Sequence, residues 1–430
     1  MHSHVRATIR RSTGLSRPLL VGTVAAALAA CSGAPVQSTP TATTATSATA
    51  AAGVGASTGA SVTASPALDL PSATSGTAAA CPLDGTSTAA GPLVPATGTW
   101  LGMSLDWAND NVAAVRDRVG ADRTPAVWVQ FASFPITAAD EGNLDGLVKQ
   151  VRSVGGIALI TLEPNDGLAK VNAASANAAA VLFAGYRACG VPLLVRFAQE
   201  MNGSWYAWGQ DPTAYVAAFR TLAAAIHEHA PGVATLWAPN SALGYPFLGG
   251  AHGAGKGSAA AAALDTDGDG ALTGGDDPYA PYWPGDDAVD WVGMSAYHFG
   301  NTYPWGANVV PRAGAFAALL TGGVRGFDFY GTWAVGHRKP MAIVETAALW
   351  RPTGGGASAR AIKQAWWRQV FSTATRDDLP AIRLIGWFEW RKHEAEVDDV
   401  VDWRLTADPR LVDAFAADLP PDWLRFAPRP

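Results

Sequence analysis

The chain has 430 residues, 49% of them hydrophobic and 15% charged, with a formal net charge of −6. That length supplies a sizeable core, and the mildly acidic balance gives no electrostatic footprint for binding nucleic acid.

Residues 1–30 read as an export signal. Arg6, Arg10, Arg11 and Arg17 make a basic leader, and Leu19 to Ala30 make a short apolar stretch of mainly small residues. The stretch falls short of the roughly 20 apolar residues of a membrane-spanning helix. It ends in Leu28-Ala29-Ala30-Cys31, the pattern of a bacterial lipobox, which predicts lipidation of Cys31. The protein is therefore expected outside the cytoplasm, as a cell-surface lipoprotein or a secreted protein, touching membrane only through a lipid. A simply cleaved signal with an incidental Cys31 is the alternative. Residues 31–80 are mainly Thr, Ala, Ser, Gly and Pro, with Asp69 the one acidic residue and no aromatic. Such a segment buries too little apolar surface to offset its ordering entropy, so it is expected to be a flexible linker.

Residues 81–430 change character and carry all 17 tryptophans. Eight short apolar runs recur: Trp100 to Leu105, Ala126 to Phe131, Ile157 to Leu162, Val191 to Phe197, Ala234 to Trp237, Val289 to Tyr297, Met341 to Val344 and Ile382 to Trp390. Helical patterns separate them, notably Asp211 to His229 and Ala359 to Thr375. Strands alternating with helices predict parallel βα units closing into a (β/α)8 TIM barrel, a single domain of α/β class. In such a barrel the chemistry sits at the C-terminal strand ends. Those ends carry Asp106-Trp107, Gln130, Glu163, Gln199-Glu200, Asn240, Tyr297-His298, Glu345 and Glu389-Trp390.

Cys81 and Cys189 are the cysteines left in this domain. Two readings stay open: a disulfide stapling the leading segment to the fourth strand, or Cys189 as a small buried hydrophobe. Neither has a nearby His, which argues against a thiol nucleophile. In the long insertion at about 241–288, Asp265-Thr-Asp267-Gly-Asp269-Gly270-Ala271-Leu-Thr-Gly-Gly-Asp276 fits the spacing of a calcium loop. Asp265, Asp267, Asp269, Ala271 through its carbonyl, and Asp276 are the expected ligands, with Asp276 in place of the usual bidentate Glu. A solvated acidic loop is the alternative, and any calcium would be structural. Gly250 to Lys256 imitates a phosphate loop but has Gly257 where Ser or Thr is required. His227-Glu-His229 lacks the spacing of a zinc protease, and no Gly-x-Ser-x-Gly elbow occurs.

Arg196-Phe-Ala-Gln199-Glu200-Met-Asn-Gly-Ser-Trp205-Tyr-Ala-Trp208-Gly resembles the acid/base segment of glycoside hydrolase family 26. Val289 to Tyr297, Ala342-Ile-Val-Glu345-Thr and Asp402-Trp-Arg404 support that resemblance, which spans roughly residues 95–410. It implies a retaining endo-β-glycanase, cleaving β-1,4-mannan in most members and β-glucan or β-xylan in others, without a catalytic cofactor. By resemblance Glu200 is the general acid/base, Glu345 the nucleophile and Tyr297 its hydrogen-bond partner. Trp205, Trp208 and Trp390 are the expected sugar platforms, and Arg196 and Asn240 support the site. Gln199 departs from the His common in the family, and mannose and glucose differ at the 2-hydroxyl it would meet, so it bears on substrate choice. A β-glucanase or xylanase is the alternative enzyme; a non-catalytic polysaccharide-binding lipoprotein is the alternative of another class. A monomer is expected, with a β-linked polysaccharide as its partner.

Overall fold

The computed structural model describes residues 80–428. The export signal, Cys31 and almost all of the expected linker lie outside the described residues.

Eight parallel strands close on themselves: β1 (Thr99–Leu105), β2 (Val127–Ser133), β3 (Ile157–Glu163), β4 (Leu193–Phe197), β5 (Ala234–Trp237), β6 (Trp291–Ser295), β7 (Met341–Thr346) and β8 (Ile382–Glu389). They pair in chain order, and β8 pairs with β1, so the sheet is a (β/α)8 TIM barrel. Helices including α1 (Val112–Val119), α2 (Ala138–Arg152), α3 (Ala173–Ala188) and α4 (Pro212–His229) alternate with the strands. The expected helix from Ala359 to Thr375 is instead two, Ala359–Val370 and Thr373–Asp378. Ser372 breaks it by acting as a fresh N-cap, its hydroxyl accepting from the Thr375 amide at 2.9 Å.

Burial on both faces explains the near-continuous apolar runs of the strands. Val129, Leu159, Leu194, Leu236, Val344 and Leu384 form the barrel interior, while Trp128, Ile160, Val195 and Ile343 pack in the layer that includes the helices. Leu93 and Val94, ahead of β1, pack against the interior set, and the Trp100 indole donates to the Leu93 carbonyl at 2.8 Å. Gly386 permits close strand approach, since a Cβ there would lie 2.5 Å from the Val344 carbonyl oxygen. Cys81 and Cys189 form a disulfide that ties the leading segment to the residues before β4, closing a separation of 108 residues.

Beyond β8 comes an antiparallel hairpin that the apolar pattern did not announce, β9 (Arg391–Glu394) and β10 (Asp399–Asp402). Its strands are four residues each, too short to carry an alternation to read.

Candidate active site

A cleft of about 570 Å³ opens at the C-terminal ends of the strands. Glu200 and Glu345 both line it, together with Gln199, Asn240, Tyr297 and Trp390.

Glu200 stands on a sharp turn after β4. Ala198 (φ +47°) and Glu200 (φ +55°) both adopt the left-handed conformation, which costs energy for residues with a side chain and recurs at functional positions. The surrounding sequence holds that turn. The Glu200 amide donates to the Ala238 carbonyl at 3.0 Å. Asn202 bonds the Asn240 backbone in both directions, at 2.8 and 2.9 Å. Asn240 in turn donates its side-chain amide to Glu200 Oε1 at 2.9 Å. The Trp205 indole donates to Glu200 Oε2 at 3.1 Å. Gly203 makes room for that indole, because a Cβ there would lie 2.3 Å from two ring carbons. Burial, and after it the charge of Glu345, push the Glu200 carboxyl up from the usual range.

Glu345 ends β7 in a different environment. Arg196, fully buried at the top of the barrel interior, donates to Glu345 Oε1 and anchors its own Nε on Thr161 Oγ1 at 2.9 Å. The Tyr297 hydroxyl donates to Glu345 Oε2 at 2.6 Å. Burial holds Tyr297 protonated, its pKa far above the ordinary phenol range, so it stays a donor. Register explains how Glu345 reaches the cleft. Ala342 and Val344 face the interior, so strict alternation would turn Glu345 toward the helices. Both neighbouring ladders slip at this point, Ser295 pairing with Glu345 and Thr346 with Trp387. The extra residue is a β-bulge that turns Glu345 inward and returns Thr346 to the outer layer, where it accepts from the Trp366 indole at 2.9 Å.

The aromatic assignments need correcting. Trp208 does not line the cleft: it is buried behind Gln199, donating to that residue's carbonyl at 2.8 Å, and Tyr206 stacks on it at 4.4 Å with its own ring on the cleft. Trp205 likewise presents its N–H to Glu200 and its ring to Phe247, 5.0 Å away, in place of a face to the cleft. Trp390 does line it, stacked on Phe388 at 5.7 Å. Trp107, Trp403 and the hairpin residues Lys392, Glu394 and Glu396 complete walls that strand-end reasoning missed or left unassigned. Tyr206, inside the Glu200 motif, Trp107, at the end of the first strand, and Trp403, inside Asp402-Trp-Arg404, carried a local signal; the hairpin residues carried none. Arg196 is also not a cleft residue; it acts on Glu345 from beneath.

Two other strand-end acids have structural partners. Glu389 accepts from the amides of Leu405 and Thr406 at 2.8 Å each, and Glu163 accepts from Gln199 at 2.7 Å.

The insertion packs against the Glu200 loop. The Ser204 hydroxyl donates to the Phe247 carbonyl at 2.5 Å, and Gln210 donates to Pro246 and accepts from Ala254. Asp265, Asp267 and Asp269 bring carboxylate oxygens within 4.8 Å of one another. Asp276 is not part of that group. It is buried and spends both oxygens on the amides of Thr266, Asp267 and Thr273. The donor set present, three carboxylates with Gly270 at φ +86°, is of the hard-oxygen kind that suits calcium.

No protein-family model matches the chain, and no curated protein matches it in sequence. Solved structures are similar in fold. A double mutant of the Cellulomonas fimi endo-beta-1,4-mannanase is 17% identical, with a TM-score of 0.50 over 77% of this chain and 72% of that one. The catalytic domain of the Bacillus sp. JAMB-750 GH26 endo-beta-1,4-mannanase is 18% identical, with a TM-score of 0.49 over 77% and 88%.

Proposed function

We propose that this protein is a retaining endo-β-glycanase of the glycoside hydrolase family 26 type, hydrolysing β-1,4-mannan-type polysaccharide by double displacement. One observation carries the reading: two carboxyl groups share a cleft in opposite surroundings. Glu200 is desolvated and pushed toward its protonated form, whereas Glu345 receives a guanidinium and a phenol. Such a pair divides the labour of glycoside hydrolysis.

In the first step a Glu345 oxygen attacks the anomeric carbon, the glycosidic C–O bond breaks, and Glu200 gives its proton to the departing oxygen. Glu200, now a carboxylate, takes a proton from water in the second step. The resulting hydroxide equivalent attacks the same carbon and releases Glu345 from its glycosyl ester. Two inversions return the original configuration. Arg196 and Tyr297 orient Glu345 and balance its charge as the ester forms and breaks. Trp390, Tyr206 and Trp107 line the cleft and are the rings on which the C–H faces of pyranoses would pack.

A substrate panel of mannan, lichenan and xylan tests the proposal, with product configuration followed by NMR. Release of β-configured reducing ends from mannan by wild type, lost in Glu345→Ala, supports it. Preference for lichenan or xylan moves the substrate to β-glucan or β-xylan. Inactivity on all three favours a binding protein, and activity surviving in Glu345→Ala removes the nucleophile assignment. The proposal includes export with a lipid on Cys31 and a structural calcium held by Asp265, Asp267 and Asp269. A chelator should then lower the melting temperature, because an ion bound only by the folded state stabilises it.

A further inference from the structure

Gln199 and Glu163 end neighbouring strands, and the pairing of Leu162 with Phe197 sets them side by side. Gln199 Nε2 lies 2.7 Å from Glu163 Oε1, and both residues are buried, Glu163 at 4% exposure. A carboxylate only accepts hydrogen bonds, so the amide must turn its N–H2 to Glu163; the reverse orientation would set two acceptors face to face. The Gln199 backbone is clamped as well, between left-handed Ala198 and Glu200 and under the Trp208 indole. What remains is Gln199 Oε1, a buried acceptor without a hydrogen-bond partner, on a residue that lines the cleft with Glu200, Glu345 and Tyr206, whose phenol the Gln199 side chain also meets. An unpartnered buried acceptor is costly, and a donor from a bound molecule removes the cost.

We propose that Glu163 is a positioning residue: it holds the Gln199 amide so that its carbonyl oxygen faces the cleft and accepts a hydrogen bond from a hydroxyl of the sugar held between Glu200 and Glu345. The inference rests on the glycanase reading above. The chain from sugar hydroxyl to amide carbonyl, and from amide N–H to carboxylate, strengthens along its length because each bond polarises the next. It also gives Glu163 a task for which no other contact in the site calls. The groups acting on Glu163 are Gln199 and the cation Arg196, which favour the carboxylate, and Glu345 and Asp140, which oppose it. Burial outweighs them and pushes Glu163 up to about 7. Once protonated, Glu163 can donate to the amide carbonyl, the amide can reverse, and the cleft is left with a mixture of acceptor and donor.

Steady-state kinetics on the best substrate of the panel, with Glu163→Gln, Gln199→Met and the double variant, test the assignment. Glu163→Gln accepts the amide in either orientation. It should raise KM about five- to tenfold while kcat changes less than about threefold, and the wild-type fall in KM as pH rises through about 7 should disappear. The double variant should be no worse than Gln199→Met alone, because both changes break one chain of contacts. Unchanged KM and pH dependence in Glu163→Gln, or effects of the two substitutions that multiply, overturn the proposal. Should Glu163→Gln fail to fold, wild-type KM decides: a fall through about pH 7 supports the positioning role and a flat profile overturns it. A wild type inactive on the whole panel defeats the underlying reading and this inference with it, whereas an active wild type with an indifferent Glu163→Gln defeats the positioning role alone.

Discussion

The ends of β4 and β7 each deliver one carboxylate to the same cleft, and they do so by opposite means. Glu200 is served largely by its own neighbourhood: Trp205 lies five residues on, Gly203 makes space for that indole, and Asn202 holds in place Asn240, a donor 40 residues away. Glu345 is served by strangers. Arg196 lies 149 residues away in sequence and Tyr297 lies 48 away, and a bulge in an otherwise plain strand aims the side chain. An acid must be desolvated by a shaped pocket, and here the loop that follows β4 builds it together with Asn240 at the next strand end. A nucleophile needs charge and donors placed around it, and a barrel supplies these from adjacent strands.

The largest test of this contrast sets Glu345→Ala against Glu200→Ala. On the proposed mechanism, loss of Glu345 should cost on the order of 10⁴-fold or more on every substrate, because no glycosyl ester can form. Loss of the acid should cost about 10²–10⁴-fold on polysaccharide. An aryl glycoside whose leaving group needs no proton should still react once with Glu200→Ala, and mass spectrometry should find the sugar on Glu345. Sugar attached to any other residue, or accumulation in Glu345→Ala instead, would reverse the roles assigned to the two strand ends.

Tyr297→Phe probes the β7 side more gently. It removes one hydrogen bond to a charged group, worth about 1.5–3 kcal/mol, so kcat should fall roughly 10- to 100-fold with the fold intact. A loss below about threefold would mean that Arg196 alone suffices and that the partners of Glu345 are redundant.

The same contrast explains what could be read from the chain. The barrel was legible because burial on both faces makes each strand an apolar run, and the strand ends then named Glu200, Glu345, Gln199, Asn240, Tyr297 and Trp390, all of which line the cleft. Residues whose placement depends on distant partners were harder. Trp208 looked like a sugar platform in sequence, yet it supports Gln199 from behind while Tyr206 takes the exposed place. Asp276 fitted a ligand position by spacing, but the amides of Thr266, Asp267 and Thr273 claim its oxygens. The bulge in β7 and the hairpin bearing Lys392 and Glu394 leave no periodic trace, since each depends on ladder register or short strands. Glu163 appeared only as one strand end among eight, and its meaning arose when Gln199 was found beside it.

The subtlest test returns to β4. The Trp205 indole donates to Glu200 and so favours the carboxylate, while burial favours the protonated acid and prevails. Trp205→Phe keeps much of the ring and removes the donor, so the Glu200 carboxyl should rise further. The alkaline limb of kcat/KM, which reports loss of the acid's proton, should therefore move to higher pH. Stability follows the same sign: a carboxyl raised on folding contributes stability at low pH that is lost between its unfolded and its folded value, so in the variant the loss starts at the same pH and runs on to a higher one. Gly203→Ala should reproduce the shifted limb with Trp205 still in the sequence, because the new Cβ displaces the indole. An alkaline limb that stays put, or moves to lower pH, in both variants would reduce Trp205 to a packing residue and leave the acid tuned by burial, the Glu345 charge and its other partners.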